Sequence, residues 1–144
     1  MEKGSYSVLV FLVATLVLPV NCLGFDCIAD SYNNQALRQP KQCYFPEETI
    51  YVKIVCHNLS RGAHTIHVNW IKKNHGQVRY DSHGFSSEAD GIEAVYFWMK
   101  LDRNGTLARS FGVREYPEKM IGEWNVDAYL DDSLIESVDF IITN

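Results

Sequence analysis

The chain has 144 residues, a net charge of −5 from 13 Lys and Arg against 18 Asp and Glu, and 47% hydrophobic residues. A mildly acidic chain with no basic cluster argues against nucleic acid or anionic lipid as a partner. No internal repeat, low-complexity stretch or long linker divides it.

Lys3 opens a short polar start, and Val8 to Val20 follow with only Thr15 polar. That run is shorter than the roughly 20 apolar residues a membrane-spanning helix needs. A positive start, a short apolar run and small residues beyond it form the pattern of a secretory signal peptide. Val20 and Cys22, or Cys22 and Gly24, supply the small residues at the cleavage positions. The expectation is a signal peptide over 1–24 and a single secreted or periplasmic domain over 25–144. Lipidation at Cys22 fits less well, because Asn21 precedes it and Pro19 stands at −3. No second apolar stretch is long enough to span a bilayer. The remaining chain of about 120 residues is enough for one real core.

Beyond the leader the chain reads as short runs of period two broken by turn residues. A weak strand is expected at Phe25 to Ala29. Pro40 and Pro46 then mark loops or edge strands. Ile50, Val52, Ile54 and Cys56 share one face of a strand, and Ile66, Val68 and Trp70 share a face of the next. A second weak strand covers Gln77 to Tyr80. Ser87 to Ala94 is the best helical candidate, but it is short and acidic. Val95, Phe97, Met99 and Leu101 alternate with Ala94, Tyr96, Trp98 and Lys100. Trp124, Val126, Ala128 and Leu130 alternate likewise, as do Val138, Phe140 and Ile142. Asn58 to Gly62, Asn74 to Gly76 and Asp102 to Gly105 are turn-prone. Asp131 and Asp132 read as a tight hairpin between the last two strands. Parity places Trp70 and Trp124 in the core. About seven such strands predict an all-β, antiparallel two-sheet sandwich.

The segment Gly122-Glu123-Trp124-Asn125-Val126-Asp127-Ala128-Tyr129-Leu130, followed by Leu134-Ile135 and Phe140-Ile141-Ile142, resembles the last hairpin of exported bacterial immunoglobulin-like or fibronectin-III-like domains. The resemblance covers about 25 residues. It implies an immunoglobulin-like sandwich and says almost nothing of a ligand. Cys56 followed by Trp70 is similar to the first cysteine and core tryptophan of antibody-type domains, but no cysteine follows Cys56, so their inter-sheet bridge cannot form.

Four cysteines, Cys22, Cys27, Cys43 and Cys56, matter more outside the cytoplasm, where disulfides persist. None is spaced as a C-x-x-C redox or zinc motif. Cys27 with Cys43 is the favoured bridge, since both lie in the turn-rich early region, and Cys56 is then a buried free thiol. Cys43 with Cys56 is the competing pair.

No motif points to catalysis. There is no Gly-x-Ser-x-Gly or His-Glu-x-x-His, and Asp81-Ser82-His83 read as turn residues before Gly84, since loop neighbours seldom face one another as a triad must. His57, His64, His67, His75 and His83 lack the spacing of a metal pair, and His64 and His67 point to opposite faces of a strand. Asp127, Asp131, Asp132, Glu136 and Asp139 fit no known calcium loop and read as a turn and a solvated strand face. Asn58-Leu59-Ser60 and Asn104-Gly105-Thr106 match the glycosylation acceptor pattern. The outward aromatics Tyr96, Trp98 and Tyr129 are either a ligand platform or lie beneath a loop such as 111–121. The expected function is a non-enzymatic binding or structural module for an unknown protein or glycan, without cofactor, catalytic residue or metal. The alternative is a periplasmic or extracellular metal-binding protein.

Overall fold

A computed structural model describes residues 24–144. The apolar run at 8–20, Cys22 and the expected cleavage positions around it lie outside the described residues, save Gly24. Eight strands form two sheets: β1 (Asp26–Tyr32), β2 (Cys43–Tyr44), β3 (Thr49–Leu59), β4 (Gly62–Lys72), β5 (Gly76–Ser87), β6 (Gly91–Lys100), β7 (Gly122–Leu130) and β8 (Ser133–Ile142). The smaller sheet has the order β1-β3-β6 and the larger β2-β8-β7-β4-β5. Each expected strand is present, and β2 is the additional one.

Period-two alternation builds the core directly, because successive side chains on a strand point to opposite faces. Ile50, Val52, Ile54 and Cys56 of β3 meet Ile66, Val68 and Trp70 of β4 and Trp124, Val126, Ala128 and Leu130 of β7 in one buried cluster. Trp70 and Trp124 are both buried, as parity requires. The Trp124 indole N–H donates to the Met120 carbonyl at 2.9 Å, and its ring stacks on Phe140 with centroids 6.1 Å apart. That bond ties the loop after β6 onto the core.

Asp131 and Asp132 take φ of 47° and 65°, with Leu130 paired to Ser133. Two successive left-handed residues give the turn twist that a two-residue hairpin favours. Ser87 to Ala94 is not helical: β5 runs to Ser87, a turn follows, and β6 starts at Gly91. The alternation from Ala94 onward extends back across the expected helix. A short helix α1 (Thr106–Ser110) lies instead in the loop between β6 and β7.

Two expectations are corrected. The sheets are not purely antiparallel, because Cys43 and Tyr44 of β2 pair in parallel with Ile141 and Ile142 of β8. Two residues between prolines carry no readable period. Tyr44 nevertheless anchors this strand: it is buried, meets Phe140 edge-on, and its hydroxyl donates to the Lys41 carbonyl at 2.7 Å. Burial pushes its phenol up to about 12.

The second correction concerns the disulfide. Cys27 is bonded to Cys56, not to Cys43, and Cys43 is free and exposed. The reason is register. β1 pairs antiparallel with β3, and Cys27 stands directly opposite Cys56 with their Cα atoms 4.1 Å apart. Closeness in sequence favoured Cys43, but strand pairing sends that residue to the other sheet.

Candidate functional site

The outer face of the smaller sheet carries the largest group of exposed apolar side chains on any strand surface described. Its register sets Tyr32 beside Tyr51 and Tyr51 beside Trp98. The next row is Asp30, Lys53 and Tyr96, and the next is Ile28, Val55 and Ala94. Ile28, Ile92, Tyr96 and Trp98 are each between 51% and 65% exposed. Large apolar residues are this exposed singly on any protein, but four on one sheet face are a patch.

Charge is placed around this patch. Tyr51 and Tyr96 lie 6.4 Å apart with rings inclined at 61°. The Arg79 guanidinium reaches from β5 to within 5.7 Å of the Trp98 ring. Arg79 is held in turn by Asp81, at 2.8 Å and 3.0 Å. Trp98 thus has a cation over its ring and Tyr51 beside it, and about half of it is exposed.

Tyr96 and Trp98 share this surface and are each about half exposed. Tyr129 does not belong with them. It lies on β7, on the outer face of the other sheet, where it stacks on His67 at 4.7 Å, and His67 lies 5.3 Å from Tyr80. Strand parity identifies an outward residue but not the sheet that carries it. A third apolar group was not anticipated: Leu107, Phe111 and Val113 around α1 are exposed, Phe111 by 84%. The signal available in the sequence was an apolar set without strand alternation, of which Phe111 and Val113 fall in the segment 111–121 read only as a loop.

The polar candidates are engaged with one another. Asp81, Ser82 and His83 lie within β5 rather than in a turn; Asp81 accepts from the Trp70 indole at 2.9 Å, while Ser82 points to the opposite face, so they form no triad. Asp127 accepts from the Ser137 hydroxyl at 2.6 Å, and Asp139 from the Asn125 amide at 3.0 Å. Among the described residues no three His, Cys, Asp or Glu side chains are placed to hold a metal ion. No described helix is long and apolar enough to cross a membrane. Asn58 is exposed, whereas the Asn104 amide donates to the Arg114 carbonyl at 2.7 Å.

One constellation was missed. His64 Nδ1 lies 2.6 Å from Asp131 Oδ2, and its Nε2 lies 2.8 Å from the Ser60 carbonyl and 3.4 Å from the Ser60 hydroxyl. Serine, histidine and aspartate are thus in line, yet the chemistry is not that of a nucleophile. Both ring nitrogens face acceptors, which suits the imidazolium, and an imidazolium has no lone pair to take the Ser60 proton. The hydrogen bond to Asp131, then that to Ser60, raises the His64 pKa above its ordinary 6.5. Burial works against the Asp131 carboxylate, but the bonds from His64 and the Thr65 amide outweigh it and lower its pKa from 3.8. Ser60 stands only four residues from His64, but Asp131 comes from a turn 67 positions away, which no local motif reveals.

No protein-family model matches the chain, and no curated protein matches its sequence. Solved structures do share its fold. Part of an alkylpurine DNA glycosylase from Pseudomonas fluorescens, bound to DNA containing an abasic-site analogue, superposes with a TM-score of 0.56 at 11% identity. It covers 83% of this chain and 30% of the glycosylase. A β-glucosidase from Listeria innocua, in complex with isofagomine, superposes with a TM-score of 0.55 at 11% identity, covering 83% of this chain and 16% of the glucosidase. This chain therefore spans less than a third of either protein. The two act on unlike substrates, so the shared architecture carries no single chemistry.

Proposed function

We propose that the protein is an exported, non-enzymatic binding module of immunoglobulin-like architecture that engages a protein partner through the outer face of its smaller sheet. The observation that carries this reading is the exposed group Ile28, Ile92, Tyr96 and Trp98 on one sheet face. Mixed aliphatic and aromatic side chains, with Asp30 and Lys53 between them, suit an apolar protein surface. A glycan would use the rings but gain little from Ile28 and Ile92. Tyrosine and tryptophan are enriched where protein interfaces concentrate their binding energy. The Cys27–Cys56 bond is compatible with an oxidising compartment.

The test is a comparison of variants. Surface proteins of the source cell are captured on the wild-type domain, and each purified candidate is titrated against wild type, a Tyr96→Ser/Trp98→Ser double variant and Phe111→Ser. Affinity falling at least tenfold in the double variant, and unchanged in Phe111→Ser, supports the reading. Equal affinity for wild type and double variant overturns the assigned face. Binding to a glycan array that is lost in the double variant overturns the assigned partner class.

A further inference from the structure

The end of the molecule that carries the β3–β4 turn is closed by a side chain whose bonding capacity depends on its proton count. His64 lies on the inner face of β4, its side chain only 9% exposed. Its two nitrogens meet two acceptors on two other elements: Asp131 in the β7–β8 turn and the Ser60 carbonyl in the β3–β4 turn. A neutral imidazole has one N–H, so it can serve only one of them. The imidazolium serves both.

We propose that His64 is a protonation latch that fastens the Ser60 end of the β3–β4 turn to the β7–β8 hairpin turn and loosens that link when the ring loses its proton. The order of release follows from the partners. The Asp131 side is reinforced, since the Thr65 amide donates to Asp131 Oδ1 at 2.9 Å and the Asp131 amide to the Thr65 carbonyl at 2.9 Å. The remaining N–H stays on the charged acceptor, Asp131, because charge-assisted bonds are the stronger ones. Nε2 then turns a lone pair toward the Ser60 carbonyl, and that contact becomes repulsive. The turn shifts at Ser60, whose hydroxyl, 3.4 Å away, is the donor a neutral Nε2 can accept, while Arg61 keeps Glu88, Gly62 keeps its pairing with Ser87, and the hairpin turn at Asp131 and Asp132 stays in place.

The charged and titratable surroundings leave this assignment to Asp131. From β5 the ring meets Phe85, at 5.6 Å, with His83 stacked against that phenyl at 6.4 Å. Arg61, in the turn itself, is paired with Glu88 of the β5–β6 turn at 2.6 Å. Asp132 follows Asp131 in the hairpin. The raised pKa of His64 agrees with the geometry.

The experiment is an NMR pH titration of the folded domain, following the His64 ring together with the backbone amides of Ser60, Arg61 and Gly62. The expected result is a ring midpoint above 6.5, with the three amides moving at that same midpoint. Asp131→Asn lowers the ring midpoint by about one unit or more, the scale of a lost adjacent opposite charge. Glu88→Gln, which removes only the exposed Arg61 partner, leaves it in place. A wild-type ring midpoint at or below 6.5 overturns the proposal. Amides at 60–62 that do not follow the ring also overturn it. The wild-type titration decides the matter even if Asp131→Asn does not fold.

Discussion

The buried indole N–H of Trp70 donates to Asp81 across 2.9 Å, and Asp81 in turn grips Arg79, whose guanidinium lies over Trp98. A core tryptophan is thereby linked through one carboxylate to an exposed one on the opposite sheet. Asp81→Leu leaves the Trp70 N–H without an acceptor, and such a loss costs about 1–3 kcal/mol. Urea unfolding measures it. Acrylamide quenching should rise at the same time, because Trp98 is the exposed tryptophan of the three and loses its cation cover.

The disulfide gives a second expectation. Cys27 and Cys56 are 29 residues apart in sequence. Opening a loop of that size costs about 3–4 kcal/mol in the chain-entropy model. Denaturant unfolding of a Cys27→Ala/Cys56→Ala variant reads this loss. Non-reducing peptide mapping should recover the Cys27–Cys56 peptide pair and alkylate Cys43 alone among the three.

Trp124→Ala should cost about 3–5 kcal/mol, as large core truncations do. It removes the stack on Phe140 and the bond to the Met120 carbonyl. Tyr96→Ser/Trp98→Ser should cost less than about 1 kcal/mol, since both rings are half out of the fold. The contrast separates core from surface on strands that show the same alternation.

The His64–Asp131 pair sets a pH window for stability. The folded pKa of His64 lies above 6.5, so its contribution is complete below 6.5 and fades as pH rises through the folded value. The folded pKa of Asp131 lies below 3.8, so its contribution is complete above 3.8 and fades as pH falls through the folded value. The pair therefore supports the fold most fully between about pH 4 and 6.5. Thermal melts across pH should show His64→Gln losing more stability relative to wild type inside that window than at a pH above the folded midpoint of the ring, where it is neutral in both states.

The core was legible because period two is a local signal: Ile50 to Cys56 and Trp124 to Leu130 announce their buried face without knowing what they pack against. The Asp131-Asp132 hairpin was legible for the same reason. The sheet assignment of each strand was not, and three outcomes turned on it. Tyr129 separated from Tyr96 and Trp98, Cys27 met Cys56 rather than Cys43, and His64 met Asp131 across 67 positions. Each depends on strands paired far apart in sequence. Two residues of β2 are too few to show any period, so the parallel edge stayed invisible. Of the candidate site, Tyr96 and Trp98 were found by parity, while Ile28 and Ile92 were passed over in short or misread segments.

The parallel pairing of Tyr44 with Ile142 imposes an order of events. Tyr44 cannot reach its place against Phe140 until β8 exists, nearly the whole length of the domain later. The larger sheet is finished at one edge by the earliest part of its chain and filled in by the latest. Such a closure is entropically expensive and belongs to slow-folding topologies. A ribosome or translocation channel releasing this chain from the amino end would emit five further strands, β3 to β7, before Tyr44 had its partner strand to dock on. Vectorial folding is thus prevented at this edge, and a chain still emerging stays open there until residues 140–142 arrive.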